Sequence, residues 1–162
     1  MIGNTDPATE SRYGALLAPY LSDPTNIFVI SSDFCHWGSR FRYTYYDPAD
    51  GSPATQLRSS SRVPRDYPIH ASIAAVDKQS MDTVESGSHD AFLEQLKETG
   101  NTVCGRHPIG VFMAAVEKLR EDEDGNGDGG KGRFRFVRYE RSSLVETYVD
   151  SSVSYASAFA VL

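Results

Sequence analysis

The fold is decided by residues 26–38, which read NIFVISSDFCHWG. Ile27–Ile30 is a continuous apolar run rich in β-branched residues, a pattern typical of a central strand that is covered on both faces. Polar and reactive side chains then crowd together from Ser31 to Gly38. Because sites in open α/β sheets lie beyond the carboxyl ends of strands, this stretch predicts a core strand with a functional site at its end.

Helical patterns surround that strand. Asp6 and Pro7 predict an N-cap and a first helical residue. The apolar positions of this first helix are spaced at i, i+3, i+4, i+7 and i+8; they are Tyr13, Leu16, Leu17, Tyr20 and Leu21. Further helices are predicted from Ile69, from a Ser88 cap to Gly100, and from Pro108, whose buried stripe is Ile109, Phe112, Met113, Val116 and Leu119.

Two strands are predicted near the C-terminus, at Arg133–Glu140 and Ser152–Val161. The second is apolar on both faces, which predicts that it lies inside a sheet. The pattern as a whole indicates an α/β fold in which helices flank a mixed sheet. Three strands leave an exposed edge, which favours pairing or self-association and suggests an incomplete fold.

Length and charge limit the function. A chain of 162 residues predicts one domain over 1–162, with a surface loop at 47–66 and a mobile acidic connector at 121–132. A net charge of −6 excludes a general nucleic-acid binder, which is normally basic. The apolar run at Ile27–Ile30 is far shorter than the ~20 residues of a membrane-spanning helix. With no leader pattern in residues 1–7, we expect a cytoplasmic location that extends to the nucleus.

Two clusters offer chemistry, one at Asp33–His36 and one at Cys104–His107. Imidazole and thiolate suit iron, zinc or copper, and Asp33 would add an oxygen ligand or orient a histidine. In an extended chain Cys35 and His36 point to opposite faces, so one ion is not easily bound by both.

Two other interpretations of the clusters stay open. Cys104 precedes a helix N-terminus beside Arg106 and His107, which together would stabilise a nucleophilic thiolate. Alternatively the clusters are structural, with buried thiols, a capping histidine, and Arg106 paired with an acid such as Asp33. His70 and His89 stand outside both clusters, and we predict solvated surface positions for them.

Arginines alternate with aromatic residues in the stretch from Arg40 to Tyr46. Guanidinium forks match phosphate geometry, so Arg40 and Arg42 predict a phosphate or phosphotyrosine site. The alternative is packed aromatic rings with arginines that extend to solvent.

Three stretches of the sequence resemble blocks of the Memo family. The first comprises residues 26–38 and 40–47, the second residues 101–110 (NTVCGRHPIG) and the third residues 150–156. The resemblance implies a fold similar to class III extradiol dioxygenases and a signalling or scaffold role in cell motility and invasive growth, without enzymatic activity. It also implies a vestigial pocket for iron or copper in which His36 and Cys104 are metal ligands. The neighbouring pocket residues are Asp33, Trp37, Arg106 and His107.

The resemblance covers the C-terminal half of that family. The family's other pocket histidines belong to the N-terminal half, which this sequence does not contain, so we expect metal to bind weakly or not at all. The leading hypothesis is a scaffold that binds a protein partner such as a phosphotyrosine peptide, with no nucleic-acid or membrane role. The alternative is an iron- or copper-dependent redox enzyme.

Overall fold

The computed structural model describes residues 2–122 and 132–162, so the predicted connector at 121–132 lies almost entirely outside the described residues. The described helices are α1 (Pro7–Leu21), a 3-10 turn (Ser39–Phe41), α2 (Ile69–Ser86), α3 (His89–Thr99) and α4 (Arg106–Asp122). The described strands are β1 (His36–Trp37), β2 (Tyr45–Tyr46), β3 (Thr55–Gln56), β4 (Arg135–Arg141) and β5 (Ser152–Phe159). The predicted α/β class is confirmed.

The ends of α1 and α3 lie where the capping residues predicted them, whereas α4 begins at Arg106, two residues before the predicted start at Pro108. The Asp6 side chain accepts a hydrogen bond from the Thr9 amide at 2.7 Å, and Ser88 Oγ accepts one from the Ala91 amide at 3.2 Å. Gly100 ends α3 with φ +65°, a conformation that glycine adopts at little cost. These caps satisfy amide groups that the helix itself leaves unpaired, so they fix the boundaries locally.

Helix α1 packs against α4 through the small residue Gly14 and through part of its predicted apolar face, since Leu21 is buried in a cluster with α4 residues and Leu17 packs against that cluster. A Cβ at Gly14 would lie only 2.7 Å from the Ala115 nitrogen, so the two helices approach more closely than a larger side chain allows. Leu16 and Tyr20 remain 68% and 60% exposed. The apolar spacing therefore predicts the helix and part of its contact with α4, whereas Tyr13, Leu16 and Tyr20 of the predicted face stay exposed.

The sheet has the order β1-β5-β4, and both of its pairings are antiparallel. The predicted position of β5 inside a sheet is confirmed, because it pairs with β1 on one edge and with β4 on the other. A separate antiparallel pair joins β2 to β3, which lies within the mostly exposed 47–66 segment.

The prediction of a buried central strand at Ile27–Ile30 is wrong. The segment pairs with no strand among the described residues, and Ile27 and Val29 are each 89% exposed. A continuous apolar run is suited to a strand with layers on both faces, but the described part of the chain supplies a layer for one face only.

Three apolar clusters form the core. One lies around Trp37, Tyr43 and Ile73 beneath β2 and α2, a second joins Phe34 to α3 and α4, and a third lies between α1 and α4. The chain from 31 to 36 passes between the first two clusters and reaches the surface at Asp33 and His36. None of the described helices combines the length and apolarity needed to cross a bilayer.

Candidate functional site

Backbone hydrogen bonds bring the two predicted clusters side by side. The Cys104 amide donates to the Asp33 carbonyl at 3.0 Å, and Thr102 Oγ1 accepts from the His36 amide at 2.7 Å. A Cβ at Gly105 would overlap Ser32, so only glycine permits this close approach. Residues 66 to 73 positions apart in sequence thus meet at one edge of the structure.

Three side chains remain accessible there, and we call Asp33, His36 and Cys104 the open cluster. His36 Nε2 lies 3.5 Å from Asp33 Oδ2, with side-chain exposures of 26% and 43%, and Cys104 is exposed. The Nε2 atom itself is buried and makes no hydrogen bond with the described residues. A buried nitrogen without a partner is uncommon in folded proteins, so His36 Nε2 is a candidate position for a further ligand.

The neighbouring motif residues belong to the core. Trp37, predicted in the pocket, is fully buried, and its Nε1–H donates to the Tyr45 carbonyl at 2.8 Å. Cys35 is only 1% exposed. Burial, together with the Asp77 charge, raises the pKa of the Cys35 thiol well above its ordinary value. Cys35 and His36 do point to opposite sides, so only Cys104 offers an accessible thiol.

The buried Asp77 carboxylate lies on the core side of the Asp33–His36 loop and binds the loop backbone. Its Oδ1 accepts from the Cys35 amide at 3.1 Å and from Asn101 Nδ2 at 3.0 Å, and its Oδ2 accepts from the Tyr139 hydroxyl at 2.8 Å. Burial raises the pKa of Asp77 above 3.8, while the hydrogen bonds from Ser154, Asn101 and Tyr139 oppose that shift. Sequence reasoning missed Asp77, although an acid four residues after Ile73 on the apolar side of a helix was the available signal.

His107, predicted as a pocket residue, faces the other way. Its Nδ1 lies 2.7 Å from Glu10 Oε1, and Arg106 Nε donates to its Nε2 at 3.3 Å, so the His107 proton resides on Nδ1. Glu10, on α1, is only 1% exposed. A Cβ at Gly110 would overlap the Glu10 carboxylate, which explains this glycine.

Neither histidine outside the two motifs is the solvated surface residue that we predicted. His89 is 3% exposed; its Nε2 lies 2.7 Å from Glu10 Oε2, and its amide donates to Glu117 at 2.7 Å. His70 is partly buried, with Nδ1 3.1 Å from the Val145 carbonyl. We call Glu10, His89 and His107 the closed cluster, because each imidazole binds one carboxylate oxygen.

The predicted phosphate-binding arginines lie beside the open cluster. The Arg40 guanidinium carbon is 4.4 Å from the centroid of the Phe41 ring, and that ring is 5.1 Å from the His36 imidazole. Arg42 adopts a left-handed conformation, φ +59°, at the end of the 3-10 turn. Both arginines are exposed, and no carboxylate of the described residues pairs with either.

A metal ion needs several donor side chains that converge on one point. Within 2–122 and 132–162, no group of three or more His, Cys, Asp or Glu side chains is arranged to hold one. A facial triad of the non-haem iron type needs three protein ligands with open positions. His36 and Cys104 are brought near each other by their backbones, but the described residues do not complete such a set.

The whole chain is similar to known proteins. A family model described as Memo-like protein matches residues 1–159. "Protein MEMO1" of Danio rerio is 41% identical over 157 residues, 97% of this chain and 46% of the relative, and that of Homo sapiens is 40% identical with the same coverage. "Protein memo-1 homolog" of Caenorhabditis elegans is 41% identical over 97% of this chain and 39% of its own length. The chain thus spans less than half the length of these relatives.

Proposed function

The chain belongs to the Memo family, and from that premise we propose that it acts as a cytoplasmic signalling scaffold, linked to cell motility, that binds a phosphotyrosine peptide beside the open cluster. Arg40 carries this proposal. Its guanidinium is exposed, is stacked on Phe41, and has no carboxylate partner among the described residues.

The stacked arrangement favours phosphate recognition. A guanidinium held against an aromatic ring loses less side-chain freedom on binding, and its remaining N–H donors point outward to an acceptor. Phe41 also contacts His36, so a peptide bound at Arg40 would extend across the open cluster. Because the Asp33 carboxylate would repel a phosphate, the phosphate belongs on the Arg40 and Arg42 side and the rest of the peptide near Cys104.

Peptide titration tests the proposal. We expect tyrosine-phosphorylated peptides to bind about tenfold or more tightly than their unphosphorylated forms, since a charge-assisted hydrogen bond contributes roughly 1.5–3 kcal/mol. Fluorescence anisotropy at constant ionic strength measures this ratio. Arg40→Ala should abolish the preference, whereas Arg135→Ala, at an exposed arginine on β4, should preserve it. Equal affinity for both peptide forms, or no binding of either, would refute phosphate recognition.

The alternative is an iron- or copper-dependent redox enzyme. The buried His36 Nε2 without a hydrogen-bond partner favours it, and Cys104 is the accessible soft ligand. Elemental analysis of protein purified without chelator tests the idea. Stoichiometric iron or copper that is lost in Cys104→Ala and in His36→Ala would support it, while a metal content unchanged by both substitutions would rule it out.

A further inference from the structure

Residues 58–62 form an exposed loop that projects from a buried base. Every residue of this loop is exposed, whereas Leu57, directly before it, is only 6% exposed. Val63 and Tyr67 follow the loop and pack against the core cluster that contains Leu57. The Leu57 amide also donates to the Thr44 carbonyl at 2.9 Å. The loop is therefore fixed at both ends and open to solvent along its whole length.

Few contacts hold the loop in one conformation. The Ser61 amide donates to the Arg58 carbonyl at 2.9 Å, and Ser61 Oγ accepts from the Arg58 amide at 2.9 Å. Both bonds lie within the loop, and the described residues make no other hydrogen bond with 58–62. A single turn that buries no side chain opens at a small cost in free energy. An enzyme can therefore bind this segment in an extended form.

The loop is also a basic region of an acidic chain. Residues 58–65 read RSSSRVPR, with three arginines and no acid, although the whole chain has a net charge of −6. Arg58, Arg62 and Arg65 are all exposed, and none forms an ion pair with a carboxylate of the described residues. These guanidinium groups are therefore available to a partner that carries negative charge.

Three serines stand between the first two of these arginines, and their spacing distinguishes them. Ser61 follows Arg58 by three positions, and it is the one serine or threonine of the sequence that stands three positions after an arginine or a lysine. Arginine-directed protein kinases select substrates by such a charge pattern, because acidic groups in the kinase groove pair with the arginine while the serine reaches the phosphate. A kinase of this class therefore finds one matching acceptor in the chain, and that acceptor lies on the exposed loop.

We infer that Ser61 is a phosphorylation site for an arginine-directed serine kinase that uses ATP. In the transfer, Ser61 Oγ forms a bond to the γ-phosphorus of ATP, the bond from that phosphorus to the β–γ bridging oxygen breaks, and ADP leaves with the electron pair. The hydroxyl proton passes to the catalytic base of the kinase. This modification goes beyond the proposed function, since it does not require peptide binding at Arg40.

The loop also contains groups that would bind the phosphate once it is attached. The Arg58 amide already donates to Ser61 Oγ, and Arg62 is the next residue along the chain. A phosphoserine carries a charge of about −1.5 to −2 at pH 7 and forms charge-assisted hydrogen bonds with nearby arginines. The nearest acid in the sequence is Asp66, five positions away. Phosphorylation is therefore expected to order the loop rather than to repel its neighbours.

Phosphorylation of the full chain in vitro tests the site. A purified arginine-directed kinase of the calmodulin-dependent class is incubated with the folded chain, Mg²⁺ and γ-labelled ATP, and tandem mass spectrometry locates the modified residue. We expect close to one phosphate per chain, on Ser61, and none in Ser61→Ala. Arg58→Gln should lower the initial rate about tenfold or more, because the kinase groove loses the positive charge that it pairs with. In the phosphorylated chain the 58–62 amides should exchange hydrogen at least about threefold more slowly than before.

Two neighbouring serines supply matched control variants. Ser52 is exposed in the same 47–66 segment but stands two positions after Asp50, and Ser59 belongs to the serine triplet but directly follows Arg58. Ser52→Ala and Ser59→Ala should both accept phosphate at the rate of the parent chain. All of these substitutions are at exposed positions, and thermal unfolding by circular dichroism checks that each variant keeps the stability of the parent chain.

Three results would overturn the inference: no incorporation into the folded chain, equal incorporation into the parent chain and Ser61→Ala, or an initial rate that Arg58→Gln leaves unchanged. Incorporation that occurs only after denaturation counts with the first of these, because it would show that the folded loop does not reach the kinase. Peptide affinity at Arg40 is measured separately, so either proposal can fail alone.

Discussion

The closed cluster and the open cluster both place histidine beside an acid, but they differ in whether the partners are complete. In the closed cluster, Glu10 binds one imidazole at each carboxylate oxygen, at 2.7 Å in both cases. In the open cluster, His36 Nε2 lies 3.5 Å from Asp33 Oδ2 and makes no hydrogen bond within the described part of the chain. The two clusters therefore differ in whether the described residues satisfy the hydrogen bonds of the histidine.

Because of this difference, we expect substitutions in the closed cluster to lower the free energy of unfolding more than substitutions in the open cluster. Glu10→Ala should lower the free energy of unfolding by roughly 3–5 kcal/mol, because it leaves two imidazoles and the Thr5 hydroxyl without their acceptor. Urea unfolding measures the loss. Glu10→Gln should cost less, and Glu94→Ala, at an exposed glutamate on α3, should cost roughly 0.5 kcal/mol or less. A Glu10→Ala variant as stable as Glu94→Ala would remove the distinction between the clusters.

A smaller effect is expected at Asp77, which supports the open cluster from behind. Asp77→Asn should cost roughly 1–3 kcal/mol, because one hydrogen-bond acceptor becomes a donor among other donors. Burial raises the pKa of the Asp77 carboxyl above 3.8, so the folded protein binds this proton more tightly than the unfolded chain does. The stabilisation that comes from this raised pKa is fully present below pH 3.8, and it is lost as the pH rises through the pKa of Asp77 in the folded protein.

The raised pKa of Asp77 also predicts how the effect of the substitution changes with pH. The stability difference between the parent chain and Asp77→Asn should be larger near pH 4 than near pH 7. Denaturant unfolding of both proteins across this range measures it, and the common titration of the other groups cancels in the difference. A difference that grows with pH would show that hydrogen bonding to the carboxylate outweighs its burial.

Within the open cluster, His36→Ala should cost only about 1 kcal/mol or less, because its ring is partly exposed and its Nε2 has no hydrogen-bond partner among the described residues. His89→Ala should cost clearly more, since His89 is 3% exposed and bonded to Glu10. Thermal unfolding of the two variants, measured side by side, compares the clusters directly. Equal losses would mean that His36 is as structural as His89.

The smallest change in stability is expected for Cys104→Ser, within roughly 0.5 kcal/mol. Cys104 is exposed, whereas Cys35 is buried and its thiol pKa is raised. A thiol reagent should therefore modify one cysteine in the folded protein and both after denaturation. Cys104→Ser should remove the fast reaction. Persistent fast reaction in that variant would place Cys35 at the surface.

The sequence predicted where the helices begin and end more accurately than it predicted which segments pair or pack together. Capping signals at Asp6, Ser88 and Gly100 gave the helix ends because they act within three or four residues. The motifs also identified Asp33, His36 and Cys104, which the structure brings to one edge. The apolar run at Ile27–Ile30 failed as a buried strand, because pairing depends on a neighbour that no local pattern encodes.

The sequence by itself determined the family, the α/β class and the residues on which the open cluster is built. Only the tertiary structure decided what each histidine does. Glu10 lies 79 positions from His89 and 97 from His107, and packing of α1 against α4 through Gly14 brings them together. A helix cap is determined by residues within one helical turn. The hydrogen bonds of a buried polar group are satisfied only when distant helices pack together. That physical difference separates the closed cluster from the open one.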